Sequence, residues 1–166
     1  MDAGRFFHTE WSGTAATRHG EMNLNDISAD IVDAALEIHR RFGPGLMESV
    51  YELVLSAELK RRGHLVRTQV PITFEYNGAK IDNAFRIDVL VDESVIVELK
   101  STESFAQVHA KQLKTYLVLT GLKLGLLLNF GMEYMKHGIR RVVNGDAPDL
   151  RVSSQQCRSK IGRAHV

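Results

Sequence analysis

The sequence predicts a mixed α/β domain over residues 22–145, a central mixed sheet flanked by helices, with elements in the order α-α-β-β-β-α-β-β. Three observations carry this. Apolar residues recur at helical spacing in two segments before residue 63, strand-like runs separated by turn residues fill 64–100, and a further helical pattern then precedes an apolar run.

The first helix is marked by Ile27, Ile31, Ala34, Ala35, Ile38 and Phe42 on one face, with Asp26 or Ser28 as its expected N-cap. "FGPG" (42–45) stops it, because Gly and Pro favour a tight turn. A second helix is expected from about Met47 to Arg62, with Val50, Leu53, Val54, Ala57 and Leu59 apolar and Gly63 at its C-cap. His64, Val66, Thr68, Val70, Ile72, Phe74 and Tyr76 then alternate with more polar positions up to Asn77-Gly78, a hairpin signal.

In the second strand Phe85, Ile87, Val89 and Val91 alternate with Arg86, Asp88, Leu90 and Asp92, which predicts that the first four share one face. Asp92-Glu93-Ser94 turns the chain into "VIVELK" (95–100), the third strand. A helix of about Phe105–Thr120 follows, then Gly121, the apolar strand Leu124–Phe130 and a last strand near Ile139–Val143.

Outside this region the pattern stops. Residues 1–21 lack a sustained period and are expected to form a disordered or non-native extension, with Met22 as the natural start. Residues 146–166 read as a disordered tail whose last residues, "KIGRAHV", resemble a translated adapter remnant.

Composition narrows the function classes. With 21 basic and 20 acidic residues, overall charge neither points to nucleic acid nor excludes it, so any basic face must be local. Cys157 is the single cysteine, which rules out a disulfide framework or a cysteine-rich zinc site within one chain. The seven His include no pair at metal-ligand helical spacing. The absence of a membrane-length apolar run and of a signal-like N-terminus leads to the expectation of a cytoplasmic protein with no membrane association.

The chemistry concentrates in the third strand. Side chains alternate along a strand, so Glu98 and Lys100 share one face while Val95, Val97 and Leu99 share the other. A neighbouring strand 85–91 can bring Asp88 to the same face. Two close carboxylates repel, and a divalent cation is an efficient way to keep both ionised. A hard oxygen site with several waters suits Mg²⁺, with Mn²⁺ as a substitute, and an adjacent Lys can place the attacking water. The competing reading is a solvated ion cluster at the sheet edge. Spelling alone does not decide, because Glu58-Leu59-Lys60 repeats "ELK" inside the second helix, where residues two apart point about 200° apart.

Other residues extend this candidate site. Glu48, Tyr51 and Glu52 form a stripe at the beginning of the second helix; a first-turn carboxylate favoured by the helix dipole also accounts for Glu48. His109, Gln112 and Tyr116 form another stripe on the third helix, where a solvated face accounts for His109 and Gln112 and Tyr116 can hydrogen-bond phosphate or sugar. Lys111 and Lys114, with Lys60, Arg61 and Arg62, are candidate phosphate contacts or ordinary helix-surface charges.

These residues resemble a known family. Gly45, Glu48 and Tyr51 in "GLMESVY" are similar to the signature that names the GxxExxY proteins, and the likeness covers about residues 22–145. That family is grouped with the PD-(D/E)XK nucleases, so the resemblance implies a restriction-endonuclease-like core. It also implies metal ligation by Asp88, Glu98 and Glu48, a catalytic Lys100, and a "QxxxY" pair at Gln112 and Tyr116. Ile87 replaces the motif's usual Pro, which removes no ligand. The expected activity is Mg²⁺-dependent hydrolysis of DNA. A catalytically silent module binding nucleic acid or protein is the second reading, and a structural homodimer the third.

Overall fold

A computed structural model describes residues 22–145; the two predicted tails and Cys157 lie outside the described residues. Helix α1 (Leu24–Phe42) begins one turn earlier than expected. Its N-cap is Asn23, not Asp26 or Ser28: the Asn23 side-chain oxygen accepts from the backbone N–H groups of Asn25 and Asp26, at 2.9 and 3.0 Å. Asp26 instead lies in the first turn, where its charge suits the helix dipole. Gly43, at φ 68°, ends the helix.

Helix α2 (Glu48–Arg61) follows, and Gly63, at φ 97°, sits one residue beyond its C-cap, Arg62. Tyr51, Leu55, Ser56 and Leu59 are buried, yet Met47, Val50 and Leu53 are exposed, so α2 is apolar on more than one side.

Five strands form one sheet in the order β1-β2-β3-β4-β5: β1 (Val66–Tyr76), β2 (Ala79–Val91), β3 (Val95–Lys100), β4 (Leu124–Asn129) and β5 (Ile139–Val143). The β3–β4 pair is parallel, linked by the crossover helix α3 (Gln107–Thr120), and the other pairs are antiparallel. Helices α1 and α2 cover one face and α3 the other. Val95, Val97 and Leu99 pack with α1 and α2, while Ile96 and Leu127 pack with Leu113 and Leu117 of α3. This double cover explains why β4 is buried throughout and apolar up to Asn129.

The structure corrects the reading of the first hairpin. Strand β2 starts at Ala79, six residues before the expected Phe85, and β1 starts at Val66, with His64 outside it. The Asn77-Gly78 turn is present, with both residues at positive φ. Phe85, Ile87, Val89 and Val91 do not share a face: Val89 and Val91 join the α1/α2 core, whereas Phe85 and Ile87 join the α3 core. The partner strand changes sides in step, with Val66 in the first core and Val70 and Ile72 in the second. The change falls at Gln69 and Asp88, where Gln69 has φ 52° and the ladder skips a pair.

An ion network ties α1, α2 and the β2–β3 turn together at the end of α2 remote from Glu48. Arg62 reaches Asp30, Asp33, Glu37 and Glu58 within 2.7–3.0 Å, and Arg61 also pairs with Glu58. These two guanidinium groups hold the Glu58 carboxyl down at about 2. His64 is buried between two carboxylates, with Nε2 2.7 Å from Asp30 and Nδ1 2.6 Å from Asp92. Burial alone would favour neutral imidazole, but the hydrogen bonds with Asp92 and Asp30 outweigh it, so the His64 pKa is raised.

A raised imidazole pKa stabilises the fold fully below the unfolded value of about 6.5 and ceases to do so as pH rises through the folded value. His64→Gln should lower unfolding free energy by about 1–3 kcal/mol at pH 6. Urea melts of both proteins from pH 6 to pH 9 should show that difference shrinking; a constant difference would mean that the imidazole charge contributes nothing.

Candidate active site

Asp88, Glu98 and Lys100 come together where β2 leaves β3. The β2–β3 ladder ends at Val89 and Val97, and one residue on Asp88 Oδ2 accepts the Leu99 N–H at 2.8 Å, in place of a strand carbonyl. Glu98, on the α3 face, is only 7% exposed, and its Oε1 is buried with no hydrogen-bond partner. Burial, then repulsion from Asp88, pushes the Glu98 carboxyl up to about 8, with Lys100 opposing the shift. Lys100 Nζ donates to the Leu99 carbonyl at 2.7 Å and lies 3.7 Å from Glu48 Oε1.

Glu48 reaches this point through the loop that starts α2. Tyr51 is fully buried and stacks on Phe130, with ring centroids 4.3 Å apart. Its hydroxyl donates to the Gly43 carbonyl and accepts the Leu46 N–H at 3.2 Å, which folds residues 43–46 over the helix start. Ser101 Oγ donates to the Leu46 carbonyl at 2.8 Å, and Phe130 N–H donates to the Lys100 carbonyl at 2.8 Å. The tyrosine of the GxxExxY-like stretch thus ties the Glu48 turn to the end of β3. Nothing in the structure explains its glycine, since a Cβ at Gly45 would meet open space.

On the other side, Tyr116 of α3 is buried and stacks on Phe85, with centroids 3.9 Å apart. Its hydroxyl is hydrogen-bonded to Gln112, and burial followed by the nearby Glu98 charge raises its pKa. Gln112 and Lys111 are exposed on the same helix. Lys114 is committed elsewhere: its Nζ donates to the Val143 carbonyl at 2.6 Å, pinning β5 to α3. Lys60, Arg61 and Arg62 lie at the far end of α2, roughly 20 Å along the helix from Glu48.

Gln69, which the sequence did not single out, joins this neighbourhood through Glu52, the third member of the Glu48 stripe. Glu52 Oε2 accepts from Gln69 Nε2 at 2.5 Å. Burial raises the Glu52 pKa, the Gln69 hydrogen bond opposes this, and the charges of Asp88 and Glu48 add to it. Glu52 was visible as the residue one turn beyond Glu48; Gln69 carried no sequence signal.

The matching family model covers residues 25–142 and describes the PD-(D/E)XK nuclease superfamily. This chain belongs to that superfamily. Neither a curated protein nor a solved structure gives a match. The mixed five-stranded sheet with helices on both faces is the restriction-endonuclease-like fold of PD-(D/E)XK nucleases. Members of the superfamily generally use divalent metal ions, and the orphaned Glu98 oxygen facing the Asp88 charge fits such an ion. Among the described residues no three His, Cys, Asp or Glu side chains form a ready-made cage.

Two substitutions check this account. Because the Glu98 pKa is raised, its ionisation costs stability as pH climbs from the unfolded value of about 4.5 past 8. Glu98→Gln in EDTA should melt near wild type at pH 5 and above it at pH 9, as read by thermal denaturation; a variant less stable at pH 9 would contradict a repulsive pair. Tyr51→Phe keeps the ring stack and loses both hydroxyl bonds, so denaturant melts should show a loss of about 1–2 kcal/mol. An unchanged midpoint would remove the hydroxyl from the scaffold.

Proposed function

We propose that this protein is a Mg²⁺-dependent nuclease of the GxxExxY type that hydrolyses phosphodiester bonds in DNA, with Mn²⁺ able to substitute. The observation that carries the reading is the buried Glu98 oxygen, unpartnered and beside the Asp88 carboxylate. Asp88 and Glu98 would hold the ion, and Glu48 would join them directly or through a water. A bound divalent ion lowers the pKa of a coordinated water and neutralises charge on the phosphate.

The remaining work falls to the chain's own groups. Lys100 exchanges its contact with the Leu99 carbonyl for the attacking water or a phosphate oxygen, and its charge offsets the negative charge that builds during attack. Its present link to Glu48 keeps it at the site. Gln112 and Lys111 are exposed and face substrate as hydrogen-bond donor and phosphate contact, and Tyr116 orients Gln112.

One observation favours the second reading, a silent nuclease-fold module, in its protein-binding form: Lys114 of α3 is already engaged by the Val143 carbonyl, which thins the basic surface beside the site. Incubating the full chain with supercoiled, linear and single-stranded DNA and with RNA, in Mg²⁺, Mn²⁺ or EDTA, separates the two. Metal-dependent cleavage should fall at least about 100-fold in Asp88→Ala and Lys100→Ala. Cleavage absent throughout, or equal in all three proteins, would reject the enzyme.

A further inference from the structure

The side change in the first hairpin requires a cause. In a regular strand Ile87 and Val89 would face the same way, yet they pack into opposite cores, as do Val66 and Val70 on the partner strand. Pairing resumes in the same register on both sides, with Thr68 opposite Val89 and Val70 opposite Ile87. The rotation is therefore confined to Gln69 and Asp88. Gln69 takes φ 52°, a left-handed conformation that glycine, Asn and Asp adopt far more readily than Gln.

One side-chain contact accompanies that conformation. Gln69 Nε2 donates to Glu52 Oε2 at 2.5 Å, joining the rotated position of β1 to α2 one turn beyond Glu48. Across the hairpin, Asp88 has left the ladder and turned its carboxylate onto the Leu99 N–H. We infer that Glu52 and Gln69 are positioning residues, a latch that holds the rotated hairpin and thereby sets Asp88 against β3 beside Glu98. Glu52 acts through its acceptor oxygen rather than as a ligand, and Gln69 through its amide and its backbone. The placement of Asp88 at a metal site rests on the proposed nuclease reading; the latch itself does not.

The Leu99 amide reports the latch without any metal, because its N–H is held by Asp88. Hydrogen exchange at Leu99 and calorimetric Mn²⁺ titration should be measured on the full chain and on Glu52→Gln, Glu52→Ala, Gln69→Gly and Gln69→Val. Glu52→Gln keeps an acceptor oxygen and Gln69→Gly adopts positive φ freely, so both should retain Leu99 protection and Mn²⁺ affinity within about threefold of wild type. Glu52→Ala and Gln69→Val remove the acceptor and the backbone conformation respectively. Each should speed Leu99 exchange and weaken Mn²⁺ binding about tenfold or more.

Wild-type exchange at Leu99 in both Glu52→Ala and Gln69→Val would overturn the latch. So would a loss of Mn²⁺ binding in Glu52→Gln with Leu99 still protected, since Glu52 would then be a ligand. If Leu99 responds as expected while the wild type binds no Mn²⁺, the latch stands and the metal-dependent nuclease reading falls.

Discussion

The burial of Glu98 beside Asp88 is the constraint on which this site depends. Strand β3 is covered by helices on both faces, so a carboxylate placed on it has little water to screen its charge. Moving Glu98 out to solvent would relieve the strain, but the parallel pairing of β3 with β4 fixes its register across Leu127. The domain instead binds one carboxylate to a backbone N–H, leaves an oxygen of the other unpartnered, and brings up Lys100 as a nearby positive charge.

Stability is supplied elsewhere. At the opposite end of α2, Arg62 and His64 gather carboxylates from α1, α2 and the β2–β3 turn, so the charges there are matched. Asp92 does double service, since its carboxylate also accepts the Leu65 N–H in a turn where Asp92 and Glu93 both take positive φ. The well-neutralised cluster at the end of α2 thus lies apart from the poorly neutralised Glu98 of β3.

Much of this was legible in the sequence, for reasons that differ residue by residue. Period two put Glu98 on the face of β3 opposite Val97 and Leu99, the face on which Ile96 packs against α3, while the Lys100 ammonium reaches Glu48 of α2. Asn77-Gly78 and Gly121 end their elements because positive φ favours such residues. The start of β2 was hidden because Ala79, Lys80, Asp82, Asn83 and Ala84 are small or polar, and the ribbon there is held by ladder hydrogen bonds rather than burial. The side change at Asp88 was hidden for a sharper reason: Leu90 makes both faces of β2 apolar, so an unbroken alternation and a rotated one look alike. Glutamine at a left-handed position is a tertiary effect, decided by Glu52 seventeen residues away.

Helix α2 has one property whose consequence is orientational. A helix with a single apolar stripe can turn about its own axis to one favourable setting, but α2 carries large apolar residues on its buried side and, at Met47, Val50 and Leu53, on its exposed side. Hydrophobic burial therefore discriminates weakly between rotations of α2. Directional contacts must choose among them, and two stand at its ends: the Tyr51 hydroxyl with the 43–46 loop, and Arg62 with Asp30, Asp33 and Glu37 of α1. The azimuth at which Glu48 is presented is thus set by a few hydrogen bonds with definite angles, and small changes in them steer the carboxylate by degrees while the core packing hardly registers the difference.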